Sequence, residues 1–183
     1  MLVSKTIFSV SGLSSLALLV TFLCSSTVFG SPTARSVDDA RRKNCGDTLP
    51  DLFSTTIDEL QEGLECGAFT SVQLTTAYIA RINEVNPILN AVLEINPDAL
   101  AIAADLDAQR AARKVIGPLH GIPILIKDNI ATMDKMNNTA GSFALLGAKV
   151  AADSTMAANL RKAGAIILGK TNLSQWANYR STN

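Results

Sequence analysis

Two short apolar segments decide the fold class of this chain. Residues 122–126 have the sequence Ile-Pro-Ile-Leu-Ile, and residues 165–168 have the sequence Ala-Ile-Ile-Leu. Segments that are apolar at every position are typical of strands covered on both faces, as in a parallel or mixed sheet. Helical patterns precede both segments, and helices that alternate with buried strands predict an α/β fold.

Four helices and one further strand are predicted around these segments. Thr70 and Gln73 have the spacing of a capping box, which marks the start of a helix. The residue before a proline avoids the helical region, so Asn86-Pro87 is predicted to end that helix. Asn96 is predicted to cap the next helix. The helices are expected over residues 57–66, 70–86, 97–114 and 154–163, and the strand is expected within residues 88–95.

The first 30 residues have the pattern of a secretory signal peptide. Lys5 is their one charged residue, and an apolar block follows over residues 7–24. Val28 and Gly30 then precede a predicted cleavage point at Ser31. This order predicts a secreted, extracellular protein with no membrane association after cleavage. The alternative is an uncleaved membrane anchor, which needs about 20 apolar residues, whereas serines interrupt this block.

The segment that follows the signal peptide, residues 31–55, is polar and is predicted to be a linker or leader. After signal cleavage, Cys45 and Cys66 remain. In an oxidising compartment they are a candidate disulfide, and two separate thiols are the alternative. Farther along, Asn137-Asn138-Thr139 matches a glycosylation acceptor in a polar stretch, which predicts a glycoprotein.

Charge and residue content exclude several kinds of partner. The chain has 16 Lys and Arg residues against 16 Asp and Glu residues, for a formal net charge of zero. Binding to nucleic acid is not expected, because it needs a clustered basic surface. His120 is the one histidine of the sequence, and no Cys-x-x-Cys motif is present. We therefore expect no metal site, and nothing in the sequence predicts a cofactor.

The segment Gly164-Thr171 matches the phosphate-binding motif GxxxxGK[ST]. In that motif a strand comes before the first glycine, and a loop points its amide groups at the phosphates. Here a helix is predicted before Gly164, and the next four residues are a predicted strand whose amides bond within the sheet. We therefore expect no nucleotide binding, and we interpret Lys170 as a structural residue in a polar turn after the strand.

Lys127 is the more informative lysine, because it follows residues 122–126 directly. Strand ends in open α/β sheets are where active sites lie. A lysine that loses hydration there has a lowered pKa and can act as a base. The alternative is a rim lysine with its ammonium group in water.

Ser142 and His120 are a second candidate pair, a nucleophile and its base. Ser142 lies in a glycine-containing loop but lacks the GxSxG pattern of a nucleophile. A lone histidine such as His120 is usually a structural residue and not a catalytic base.

Three segments in unbroken order resemble the amidase signature family. They are GPLHGIPILIKDN at residues 117–129, TAGS at residues 139–142 and AGAIILGKTNLSQWAN at residues 163–178. The resemblance implies a large mixed β-sheet flanked by helices, and the hydrolysis of small-molecule amides without metal or cofactor. It also implies a Ser–cisSer–Lys triad. Lys127 matches the family's lysine, which acts as general base through a bridging serine on a nucleophilic serine.

In the family both serines follow the Trp176-Ala177-Asn178 block, and nothing from there to Asn183 matches either one. We therefore interpret residues 56–183 as the incomplete, N-terminal part of an amidase domain, truncated before the serines and inactive as given. The alternative is a non-catalytic binding or interaction protein derived from an amidase.

Overall fold

The computed structural model describes residues 48–174, and residues 1–47 and 175–183 lie outside the described part. The described residues belong to the second of two compact units of the chain, Pro32–Asn183. The predicted signal peptide falls outside them and stays a prediction. The elements in chain order are α1 (Ile57–Cys66), α2 (Ser71–Leu89), β1 (Val92–Ile95), α3 (Ala99–Ala111), β2 (Pro123–Lys127), a 3-10 turn (Phe143–Leu145), α4 (Thr155–Lys162) and β3 (Ile166–Thr171).

The three strands form one mixed sheet in the order β1-β3-β2. The central strand, β3, pairs with β2 in parallel and with β1 in antiparallel orientation. Five of its six residues are buried, because helices cover both faces of the sheet. The predicted α/β class, with a mixed sheet flanked by helices, is confirmed.

Successive residues of β3 face different layers of helices. Ile166 and Leu168 lie in an apolar cluster with Leu106 of α3. Ile167 lies on the opposite face, in a cluster with Ala157 of α4. Burying one such aliphatic side chain contributes about 1.5–3 kcal/mol, so the strand that was predicted to be apolar on both faces anchors the whole sheet.

The sequence predicts the start of α2 correctly and its end incorrectly. Thr70 Oγ1 accepts a hydrogen bond from Gln73 N–H at 3.1 Å, and the Gln73 side chain accepts one from Thr70 N–H at 2.8 Å. The predicted capping box is therefore confirmed. The predicted end at Pro87 is wrong, because α2 continues to Leu89 and Asn90 then ends it with a φ of 49°. A proline in the last turn removes one hydrogen bond, which a helix end tolerates.

The third strand is longer than predicted. It extends to Thr171, so Gly169 and Lys170 belong to the strand and not to a turn after it. The reason is the close approach of β1. A Cβ at position 169 would lie 2.4 Å from the backbone oxygen of Glu94, so glycine lets the two strands pair this far along. Pairing with β1 keeps the backbone extended through the residues that the sequence assigned to a turn.

The turn between β1 and α3 also differs from prediction, because Asn96 does not cap the helix. Asp98 holds the N-cap position, and α3 runs over Ala99–Ala111, shorter than expected. Asn96 Oδ1 accepts a hydrogen bond from Asp98 N–H at 3.0 Å, and Asn96 Nδ2 donates one to Ile167 O at 2.8 Å. The buried Asn96 side chain therefore ties this turn to the central strand.

Among residues 48–174, no helix combines the length and the apolar character that crossing a membrane requires. Cys66, the last residue of α1, is disulfide-bonded. Cys45 lies outside the described residues, so the pairing of Cys45 with Cys66 stays a prediction.

Candidate active site

The predicted catalytic lysine lies at one edge of the sheet. Lys127 is the last residue of β2, and β2 and β3 are parallel, so both strands end at this edge. The edge at the carboxyl ends of parallel strands is where ligands bind in open α/β sheets. The Lys127 side chain is partly buried, and its ammonium group has no hydrogen-bond or ion-pair partner among residues 48–174.

The register of the sheet places its two lysines on opposite faces. Lys127 pairs with Thr171, whereas Lys170 pairs with Ile126 on one side and with Glu94 on the other. Side chains of directly paired residues share a face, and successive residues alternate between faces. Lys170 and Glu94 therefore lie on the face that carries α4, and Lys127 lies on the face that carries α2 and α3.

Lys170 is fully buried, with 0% of the residue exposed. Its Nζ donates hydrogen bonds to Ile130 O at 2.5 Å and to Asn138 Oδ1 at 3.1 Å. Burial lowers the pKa of Lys170, and the nearby carboxylates of Asp134, Asp128 and Glu94 oppose that shift. The ammonium group thus joins the central strand to the loop after β2, as a structural lysine would.

A buried aspartate organises the far end of the same loop. Asp128 follows Lys127 directly and is 3% exposed. Its Oδ2 accepts a hydrogen bond from Thr139 Oγ1 at 2.5 Å and one from Gly141 N–H at 3.3 Å. The segment of residues 139–142, one of the three family motifs, is therefore held against the end of β2 by the residue next to the predicted catalytic lysine.

A second carboxylate completes this arrangement from β1. The Glu94 carboxylate accepts hydrogen bonds from Asn137 N–H at 2.8 Å and from Asn137 Nδ2 at 3.2 and 3.3 Å. Asp128 and Glu94 lie in the lining of one cavity of about 500 Å³ at the sheet edge. Its lining residues are Leu93, Glu94, Asp128, Asn137, Thr139, Gly141, Ser142, Phe143, Leu146 and Asn172.

Ser142 and His120 are not brought together. Ser142 is exposed and lines the large cavity. His120 is 3% exposed and lies at a different, smaller cavity of about 100 Å³. Its Nδ1 accepts a hydrogen bond from Ile116 N–H at 3.2 Å, and its Nε2 lies 2.9 Å from Leu106 O, so both ring nitrogens have backbone partners. In this arrangement His120 is a structural residue and not a base for Ser142.

The GxxxxGK[ST] match at Gly164-Thr171 does not have the geometry of a phosphate-binding loop. Most of it is strand β3, and its lysine, Lys170, bonds inside the protein. Among residues 48–174, no group of three or more His, Cys, Asp or Glu side chains is arranged to hold a metal ion.

The predicted glycosylation acceptor, Asn137, lies in the cavity lining, and both ends of its amide have partners. Its Nδ2 donates to Glu94, and its Oδ1 accepts a hydrogen bond from Gly147 N–H at 3.2 Å. A glycan on Nδ2 would add bulk at an atom that bonds to Glu94 within the cavity lining, so glycosylation at this position would compete with the present arrangement of that side chain.

The sequence of this chain is similar to that of known proteins. The family model described as Amidase matches residues 73–183. The chain belongs to the amidase signature family. A putative amidase of Arthroderma benhamiae is 49% identical over 156 residues, with 74% of this chain and 26% of that protein covered. A glutamyl-tRNA(Gln) amidotransferase subunit of Chloroflexus aurantiacus is 41% identical over 135 residues, with 73% of this chain and 28% of that protein covered.

The solved structures agree with this membership. The native peptide amidase of Stenotrophomonas maltophilia is 46% identical, with a TM-score of 0.65, 71% of this chain covered and 27% of that chain covered. This amidase-family chain thus spans about a quarter of the length of the relatives it matches. A peptide amidase and an amidotransferase subunit both contain a segment similar to this one. The segment alone therefore does not identify the substrate.

Sequence reasoning missed three residues of this site: Glu94, Asn137 and Asn138. Glu94 and Asn137 are 43 positions apart and Asn138 and Lys170 are 32 positions apart, so no local pattern points to these contacts. One signal was present, since Glu94 is the charged residue of an otherwise apolar strand. A charged side chain on a half-buried strand generally has a partner, and here that partner is the loop that closes the cavity.

Proposed function

We propose that in the intact protein Lys127 is the general base of a Ser–cisSer–Lys triad that hydrolyses amide bonds. The observation that carries this proposal is the position of Lys127 at the carboxyl edge of the sheet, without a partner among residues 48–174. A lysine side chain that is not held in an ion pair by this segment can contact a serine hydroxyl from the rest of the domain. Asp128, the next residue, lines a cavity of about 500 Å³ at the same edge of the sheet, and Lys127 itself is not part of that lining.

In this mechanism the Lys127 amine takes a proton from the bridging serine, which takes one from the nucleophilic serine. The serine oxygen attacks the amide carbonyl carbon, and backbone amides stabilise the negative charge on the carbonyl oxygen. The C–N bond then breaks as the leaving amine receives a proton, and a water molecule hydrolyses the resulting ester. Of the three side chains, the 183 residues contain the lysine, and no residue among them matches either serine.

We therefore propose that the chain as given does not turn over amides. A base without its nucleophile supplies little catalysis. A chimaera in which residues 56–183 replace the matching segment of the Stenotrophomonas peptide amidase, which provides the rest of an amidase domain, is expected to hydrolyse peptide amides. The measurement is ammonia release by the chain, the chimaera and the parent amidase.

Two outcomes would contradict this proposal. Turnover by the chain alone, lost in the variant Ser142→Ala, would mean that the nucleophile lies within these residues. A chimaera that folds, as shown by a cooperative melt, but releases no ammonia would favour the second candidate, a non-catalytic binding protein. The observation that favours this second candidate is that the cavity is already formed by residues 93–172 of the chain.

The proposed partner is a small-molecule amide, and neither nucleic acid nor nucleotide is part of the proposal. A net charge of zero provides no broad electrostatic attraction to phosphate backbones. A phosphate-binding lysine must reach its ligand, whereas the ammonium group of Lys170 is fully buried and bonded to Ile130 O.

We also propose that the protein is secreted, with its signal peptide cleaved before Ser31 and no membrane association afterwards. The support is the order of a charged start, an apolar block and small residues in positions 1–30. Mass spectrometry of secreted material is expected to find an N-terminus at Ser31 or within a few residues of it. A mature protein that begins at Met1 would contradict secretion in soluble form. The same spectra will show whether Asn137 carries a glycan.

A further inference from the structure

An exposed apolar wall lines the cavity of about 500 Å³ at the sheet edge. The wall consists of Leu93 from β1 together with Phe143 and Leu146, which lie at the start of the 3-10 turn and just after it. These three residues are 51%, 94% and 64% exposed. Large apolar side chains that line one concave surface generally mark a site that another group covers.

The chain leaves β3 beside this wall. Asn172, the residue after β3, is part of the cavity lining, and its Nδ2 donates a hydrogen bond to Asn90 O at 3.1 Å. The next residue, Leu173, lies against the loop on the other side. Its Cδ1 is 3.6 Å from the position that a Cβ at Gly141 would take, and Gly141 also lines the cavity. The chain beyond Leu173 therefore starts at the edge of the cavity.

Trp176 is the one tryptophan of the sequence and lies two positions beyond Ser174, the last described residue. An extended chain advances at most about 3.6 Å per residue, so the backbone of Trp176 lies within about 14 Å of Asn172. An indole ring has a large apolar surface and an N–H group that needs an acceptor when it is buried. Glu94 and Ser142 line the same cavity and have acceptor oxygens.

We propose that Trp176 docks into this cavity, with its indole ring against the apolar wall. The occupant is therefore a segment of the same chain, residues 175–183, and not a second copy or a small molecule. The short connection from β3 keeps the indole ring at a high effective concentration beside the wall, which a separate molecule does not have. The cavity lining does not include Lys127, so this docking is independent of the proposed catalytic role of that residue.

The test is the accessibility of Trp176 in the full chain, because the fluorescence of a chain with one tryptophan reports on that residue alone. The probe is acrylamide, a neutral quencher. Quenching in the folded chain is expected to be at least about threefold weaker than in the same chain unfolded in urea, as a docked fraction above two thirds predicts. Equal quenching in the two states would overturn the proposal. Protection that is lost on dilution would assign the cover to a second copy and would overturn it too.

Two variants of exposed phenylalanines locate the docking site. Phe143→Asp puts a charge on the apolar wall, which is unfavourable against an indole ring, and is expected to raise the quenching of Trp176 at least about twofold. Phe53→Asp is the matched control, because Phe53 is also 94% exposed and does not line the cavity, and it is expected to leave the quenching unchanged. Circular dichroism checks that both variants fold, and if Phe143→Asp does not, Leu146→Ser decides by the same measurement. Quenching that stays at the wild-type value in the wall variant, or that rises equally in the control, would contradict docking at this wall.

Discussion

Replacing Lys127 with alanine is expected to reduce amide hydrolysis by the chimaera about 10²–10⁴-fold, which is the contribution of a positioned general base. The loss should fall on kcat, since the proton transfer occurs in the chemical step and the cavity lining does not include Lys127. The fold should be kept because the side chain is partly buried and has no partner among residues 48–174. Ammonia release under saturating amide, together with a thermal melt, measures both effects.

Lys149→Ala is the matched control for this prediction. Lys149 is exposed, lies in the segment after the 3-10 turn and is not part of the cavity lining, so the same change of side chain removes a charge from outside the candidate site. We expect it to leave kcat within about twofold of the parent chimaera. Wild-type turnover by the Lys127→Ala chimaera would refute the general-base role, and equal losses in the two variants would mean that the effect is one of net charge.

The features that the sequence predicted correctly are those with a local cause. The capping box of Thr70 and Gln73 is confirmed because its two hydrogen bonds join residues three apart. The buried strand over Ile166–Thr171 is confirmed, because its apolar character on both faces requires helices on both sides. The other predicted buried strand, β2, lies at the edge of the described sheet, and Ile126 is its one buried residue. The position of Lys127 at a strand end follows from the same pattern, and its family was recognisable from motifs of a dozen residues.

The features that the sequence missed depend on contacts between distant residues. The strand β3 continues to Thr171 because β1, about 75 positions earlier, approaches Gly169 closely. The cavity lining likewise needs Glu94 to meet the loop at Asn137. Neither contact leaves a periodic trace in the sequence, so a polar turn was the natural interpretation of Gly169 and Lys170.

The buried ammonium group of Lys170 provides the largest expected effect on stability. The variant Lys170→Met is expected to lower the free energy of unfolding by about 3–5 kcal/mol, the usual cost of removing one partner from a buried charge cluster. Ile130 O and Asn138 Oδ1 lose their donor, and the carboxylates near Lys170 lose their counter-charge. Lys162→Met, at an exposed position of α4, is the matched control and should change stability by less than about 0.5 kcal/mol. Urea unfolding measures both.

The difference in unfolding free energy between the wild-type chain and Lys170→Met is expected to change with pH in one direction. Burial lowers the pKa of Lys170 in the folded chain, whereas in the unfolded chain the pKa is near its ordinary value of 10.5. Between the two values the unfolded state binds more protons at this residue, so the wild-type chain gains stability as pH rises through that window. The methionine variant lacks this gain, and the difference in unfolding free energy should therefore widen as pH rises towards 10.5. A difference that narrows over that range would mean that the folded chain raises the pKa of Lys170 instead of lowering it. A Lys170→Met chain as stable as wild type would mean that the ammonium group does not hold the loop against the central strand.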